Sequence, residues 1–146
     1  MIEQTIEQDI KTAMIARDSL RLETLRVLKS TFLYAKVASG ERGDPLDDAQ
    51  AIALISKEVK KRQESADLYI AGGEQERADK ELSEKVILES YLPDKLSEAE
   101  LSKIIDEVIA QNDDKNLGQI IGQVKAKTSG SADGSDIARL VKEKLA

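Results

Sequence analysis

Between Leu117 and Leu145 the chain reads LGQIIGQVKAKTSGSADGSDIARLVKEKL. Two glycines four residues apart, Gly118 and Gly122, lie inside an apolar-periodic run. Lys125 and Lys127 follow, then a small-residue turn from Ser129 to Gly134 that includes Gly130, then Arg139 and Lys142. Cations beside the free backbone amides of a helix start suit one kind of chemistry, the electrostatic capture of phosphate. Arg139 and Lys142, three residues apart, occupy neighbouring positions of one helix face. The turn is not a P-loop, because the spacing G-x-x-x-x-G-K-[ST] is absent. Asp133 stands where it can cap the last helix, which would use part of an anion site. Two glycines in one short helix cost about 1 kcal/mol each relative to alanine. Either a neighbouring helix comes close, or the bare surface admits a ligand backbone. A plain interhelical turn also accounts for Ser129–Gly134.

A second basic cluster, Lys57, Lys60, Lys61 and Arg62, places four cations within six residues. It reads as a solvated helix face with Glu58 and Glu64 as partners, or as an extension of a phosphate-binding surface.

Other chemistry is excluded by composition. The chain has no histidine and no cysteine, so it offers no imidazole base, thiol nucleophile, disulfide or thiolate zinc site. No nucleophile stands with a base, and no spacing of carboxylates suggests a metal, so the residues call for no metal and no cofactor. The reading is a binding module without catalytic residues. The formal charge of −6 argues against broad coating of nucleic acid but not against a local basic face. Before Pro93 stand 14 basic and 18 acidic residues (−4), and after it 8 and 10 (−2), so neither half is a basic tail. The acidic, polar start Met1-Ile2-Glu3-Gln4 has no signal-peptide layout, and no apolar run approaches a membrane span. The expected setting is cytoplasmic, with no membrane contact.

The elements that must position these residues are helices. Ile2, Ile6, Ile10 and Met14 mark a first helix. Leu22, Leu25, Leu28, Phe32 and Ala35 make the stripe of a second, capped by Asp18 or Ser19, with Arg21, Arg26 and Lys29 on a solvated flank. Gly40, Gly43 and Pro45 make a loop. Asp47 and Gln50 form a capping box for a third helix, buried along Ile52, Ile55, Val59, Ala66, Tyr69 and Ile70. Gly72-Gly73 interrupts it. A fourth follows with Ala78, Leu82 and Val86 inward and a salt-bridge-laced exposed surface of Arg77, Lys80 and Lys85 among glutamates. Pro93 marks a boundary. A second capping box, Ser97 with Glu100, opens a helix with Leu101, Ile104, Ile105, Val108 and Ile109 inward. Asn116 caps the next, and Ile137, Leu140, Val141 and Leu145 line the last. The fold class is all-α. Residues 1–92 form a bundle or paired hairpins of about four helices, and residues 93–146 form a small three-helix bundle.

Taken together, Thr24-Leu25-Arg26-Val27-Leu28-Lys29-Ser30, Lys57 to Arg62 with Ser65, Tyr91-Leu92-Pro93 and the Leu117–Gly134 run resemble the YqeY family over nearly the whole chain. YqeY proteins are small bacterial relatives of the C-terminal region of GatB, a subunit of the glutamine-dependent tRNA amidotransferase. The resemblance implies an all-helical two-part fold and a non-catalytic tRNA-contacting module. It suggests tRNA as a partner, with an amidotransferase or an aminoacyl-tRNA synthetase as protein partner. A carbon–nitrogen ligase label would attach by homology, because the chemistry belongs to other domains. The alternative is a protein-interaction adaptor that docks on a cytosolic enzyme through its helical faces. One departure stands out: the family usually has a basic residue where Ser131 stands, and an apolar one is common at Lys125. The resemblance then implies that the positive charge has moved, or that the RNA contact is weaker.

Overall fold

A computed structural model describes all 146 residues. It contains seven helices and no strand: α1 (Ile2–Ala16), α2 (Ser19–Ser39), α3 (Asp48–Ala71), α4 (Gln75–Glu89), α5 (Glu98–Gln111), α6 (Leu117–Thr128) and α7 (Gly134–Leu145). The chain divides into two compact units, Met1–Leu92 and Pro93–Ala146.

The helix boundaries follow from local chemistry. Asp18 Oδ1 accepts from the amide of Arg21 at the start of α2. Asp47 with Gln50 and Ser97 with Glu100 close reciprocal capping boxes on α3 and α5, each satisfying donors the helix start leaves unpaired. Asn116 caps α6 through the amide of Gln119. At Gly72-Gly73 the chain ends α3, and Gly73 takes a φ of +79° that side-chain-bearing residues rarely adopt.

In the first unit α3 pairs with α4 and α1 with α2. Ile6, Leu25, Leu28, Phe32, Leu46, Ala51, Ile55 and Leu88 form the core, with Phe32 its single fully buried aromatic residue. Three expected apolar positions face out instead: Met14, Ile70 and Val86 are exposed. An α-helix advances about 100° per residue, so positions four apart drift round the axis. Along α1 that drift carries Ala13, rather than Met14, into the interior, and on α4 Leu88 takes the inward place.

Polar groups tie the unit together. Glu3 of α1 is buried, accepts a hydrogen bond from the amide of Leu46 at 2.7 Å, and pairs with Lys36 of α2. Burial pushes the Glu3 carboxyl up, but Lys36 and the Leu46 amide outweigh it and hold the group below its ordinary 4.5. Tyr91 Oη donates to Asp9 at 2.5 Å and accepts from Arg21 at 3.4 Å, so Arg21, on the flank of α2, is half-buried in a triad with them. Burial, then the bond to Asp9, raises the phenol well above its usual range.

The second unit is an aliphatic three-helix bundle. Leu101, Ile105, Val108, Ile120, Val124, Ile137, Leu140 and Val141 are its buried core. Asn112, just past α5, exchanges two amide hydrogen bonds with Gln123 of α6, at 2.8 and 3.1 Å, which fixes these helices in register.

Replacing Glu3 with alanine leaves the Leu46 amide and Lys36 without their partner. Urea unfolding at pH 7 is expected to show a loss of about 2 kcal/mol. A carboxyl held low in the folded state stabilises above its unfolded pKa, and that contribution fades as pH falls through the folded value. The deficit of Glu3→Ala should therefore shrink as pH is lowered from about 5. A deficit that stays constant down to acid pH would contradict this role.

Candidate functional site

The second unit carries the seven principal candidates. Helix α6 buries Ile120, Val124 and Thr128, so the face that holds Gly118 and Gly122 turns away from the core. Both glycines are exposed. A Cβ added at Gly122 would meet nothing within 4 Å, and one at Gly118 only Asn116 Oδ1 at 3.4 Å. Neither glycine makes room for a neighbouring helix. The two form a bare strip of helix open to solvent, which removes close packing as their explanation.

Lys125 lies on the same flank, three residues beyond Gly122, and makes none of the unit's ion pairs. Its side chain extends over the first residue of α7. A Cβ at Gly134 would stand 3.3 Å from Lys125 Cε and 3.4 Å from Nζ. The ammonium group therefore sits beside the positive end of the α7 dipole. Asp133 occupies the N-cap position, yet its side chain bonds no α7 amide and lies instead 3.5 Å from Lys95 Nζ. The expected cap is thus absent, because the carboxylate is drawn to Lys95.

The other candidates separate. Lys127 is two residues from Lys125, so the helical turn sets it about 160° away on the opposite flank. Arg139 is surrounded by Glu98 of α5 at 3.4 Å, Asp136 at 3.9 Å and Glu143 at 3.5 Å. Glu98 contributes most to raising its pKa. Lys142 is exposed and makes no ion pair, but its α7 neighbour Arg139 is committed to α5. Gly130 has a conformational duty: Ser129 and Gly130 both adopt left-handed backbone, at φ +36° and +84°, to turn the chain from α6 to α7. Ser131 serves the same turn. Its hydroxyl donates to the Thr128 carbonyl, and its own carbonyl accepts from the Leu96 amide at 2.8 Å.

The second basic cluster also divides. Lys57 and Lys60 are exposed. Lys61 pairs with Glu58 at 3.4 Å. Arg62 turns inward, 3.6 Å from Glu81 and 3.3 Å from Glu84 on α4, and Glu64 partners none of the four. Arg62 therefore leaves the solvated face, and the glutamates of α4 are not the plain exposed surface their alternation suggests. Local spacing does not show this, because the partners of Arg62 lie on a different helix.

No group of three acidic side chains is placed to hold a metal ion, and no helix is long and apolar enough to cross a membrane.

A family model described as Yqey-like protein matches residues 3–145. The protein named "Altered inheritance of mitochondria protein 41, mitochondrial" from Eremothecium gossypii is 32% identical over 87 residues, which cover 60% of this chain and 46% of that one. Its namesake from Kluyveromyces lactis is 28% identical over 129 residues, covering 84% and 69% of the two chains. That from Lachancea thermotolerans is 27% identical over 133 residues, covering 90% and 70%. The chain spans about half of the first relative's length.

The open surroundings of Gly122 make a direct prediction. Gly122→Ala should raise the stability of the second unit by about 0.5–1 kcal/mol, because it gains helix propensity and meets no neighbour. Thermal unfolding followed by circular dichroism measures this. A fall in melting temperature would show that the position is sterically confined after all.

Proposed function

The chain belongs to the YqeY-like family, and from that premise we propose that it is a non-catalytic module whose α6–α7 surface binds the phosphate backbone of an RNA, with tRNA the leading candidate. One observation carries this reading: a glycine-bared, solvent-facing strip runs up to an unpaired Lys125 whose ammonium lies over the start of α7. A helix start without a side-chain cap offers amide donors, and a lysine beside it adds a point charge. The missing Cβ atoms let a polynucleotide backbone approach the helix closely. Recognition by shape and phosphate suits a chain with four aromatic residues, too few for a base-stacking platform. The contact is small and depends on a few cations in an acidic protein, so its affinity is modest and falls with salt along a shallow slope. A link to glutamine-dependent tRNA amidation belongs to the same proposal, with this chain presenting RNA and other proteins supplying the chemistry.

A second reading draws on α2. Val27, Leu33, Tyr34 and Val37 are exposed on that helix, while Leu25, Leu28 and Phe32 are buried. An outward apolar face suits docking on a protein partner. The two readings separate by what is recovered with the protein from cells, an RNA or a nuclease-resistant protein complex.

Fluorescence titration with total tRNA at about 50 and 200 mM salt tests the RNA proposal. Binding is expected at the lower salt and should weaken at the higher. Lys125→Glu should weaken it by about tenfold, while Lys103→Glu on α5 should leave it unchanged. Absence of binding at low salt, or equal affinity of Lys125→Glu and the parent, would refute it.

A further inference from the structure

The first unit holds a feature independent of the α6–α7 surface. Between α2, α3 and α4 lies an open cleft of about 420 Å³, within the range of about 300–1,000 Å³ typical of small-molecule sites. Its floor is the Arg62 guanidinium with Glu81 and Glu84. Arg62 Nε and Glu81 Oε2 are shielded from solvent, yet neither makes a hydrogen bond. The 3.3 Å and 3.6 Å approaches of Arg62 to the two carboxylates are close enough for charge attraction but do not serve as hydrogen bonds for those atoms. Buried polar atoms are nearly always satisfied in native proteins.

One cation shared between two largely buried carboxylates also leaves an excess negative charge. Burial raises the Glu84 carboxyl, and Arg62 counters this only in part. Above the floor two exposed cations stand with one exposed carboxylate, Glu23 of α2, so the balance there is positive. Arg77 and Lys80 are exposed on the same α4 face and make no ion pair, whereas Lys85 and Arg62 on the adjoining faces are both paired. Val27 and Tyr69 supply apolar wall between the two levels.

We propose that this cleft binds a small zwitterion, its ammonium or guanidinium end at Glu81 and Glu84 and its carboxylate or phosphate end at Arg77 and Lys80. A simple anion would meet the excess negative charge of the floor, and a simple cation the two charges of the rim. A dipolar molecule is complementary to both.

The test is a titration of the uniformly ¹⁵N-labelled full chain with γ-aminobutyrate, L-arginine and phosphoethanolamine, with butyrate and butylamine as single-ended controls. At least one zwitterion should shift the amides around Thr24 and from Arg77 to Glu84 with a Kd below about 10 mM. Butyrate and butylamine should bind at least about tenfold more weakly. The double variant Arg77→Gln, Lys80→Gln changes only exposed side chains and should weaken the zwitterion by about tenfold. Absence of saturable shifts with all three zwitterions, equal binding of a single-ended control, or unchanged affinity in the double variant would each overturn the assignment.

Discussion

The structure depends on burying enough aliphatic surface with almost no aromatic help. The second unit does this with eight buried Leu, Ile and Val residues spread over three short helices. Small cores leave little stability to spare, since folding is a narrow difference between burial and chain entropy. In such a module helix propensity counts, and the caps at Ser97 and Asn116 and the Asn112–Gln123 amide exchange show the local sequence supporting the bundle. Gly118 and Gly122 run against that economy. They weaken α6 without giving any neighbour closer approach, so packing does not account for them.

Electrostatics in the first unit follows a related rule. Charges withdrawn from water are held by several partners at once: Glu3 by Lys36 and the Leu46 amide, Asp9 by Tyr91 and Arg21. Such groups fix helices in place, because removing one partner leaves another unsatisfied. Arg62 departs from the rule. Its two carboxylates outnumber it and its Nε has no hydrogen-bond acceptor, which singles out the α2–α4 cleft among the polar clusters of the unit.

Much of the fold was legible in the residues. Capping boxes at Asp47 and Ser97 and the glycine pair at Gly72-Gly73 mark helix limits through interactions a few residues long, which sequence displays directly. The outward turn of Met14, Ile70 and Val86 was not legible, because which edge of an apolar stripe is buried depends on the neighbouring helix. The candidate site was visible only as a set of residue types. Periodicity separates Lys125 from Lys127, but the capture of Arg139 by Glu98 and of Asp133 by Lys95 requires partners distant in the chain. The expected cap at Asp133 failed for that reason. The inward turn of Arg62 likewise depends on α4, which local spacing does not reveal.

We propose that the bared face of α6, continued by Lys125 and the start of α7, is where this YqeY-like chain meets RNA. Amide chemical-shift mapping of the labelled protein during addition of tRNA at low salt tests it most directly. The account predicts perturbations centred on Gly118, Gly122, Lys125 and Gly134, with Lys127 and Arg139 little affected. Perturbations confined to the first unit, or centred on Arg139 while Gly122 stays silent, would contradict it.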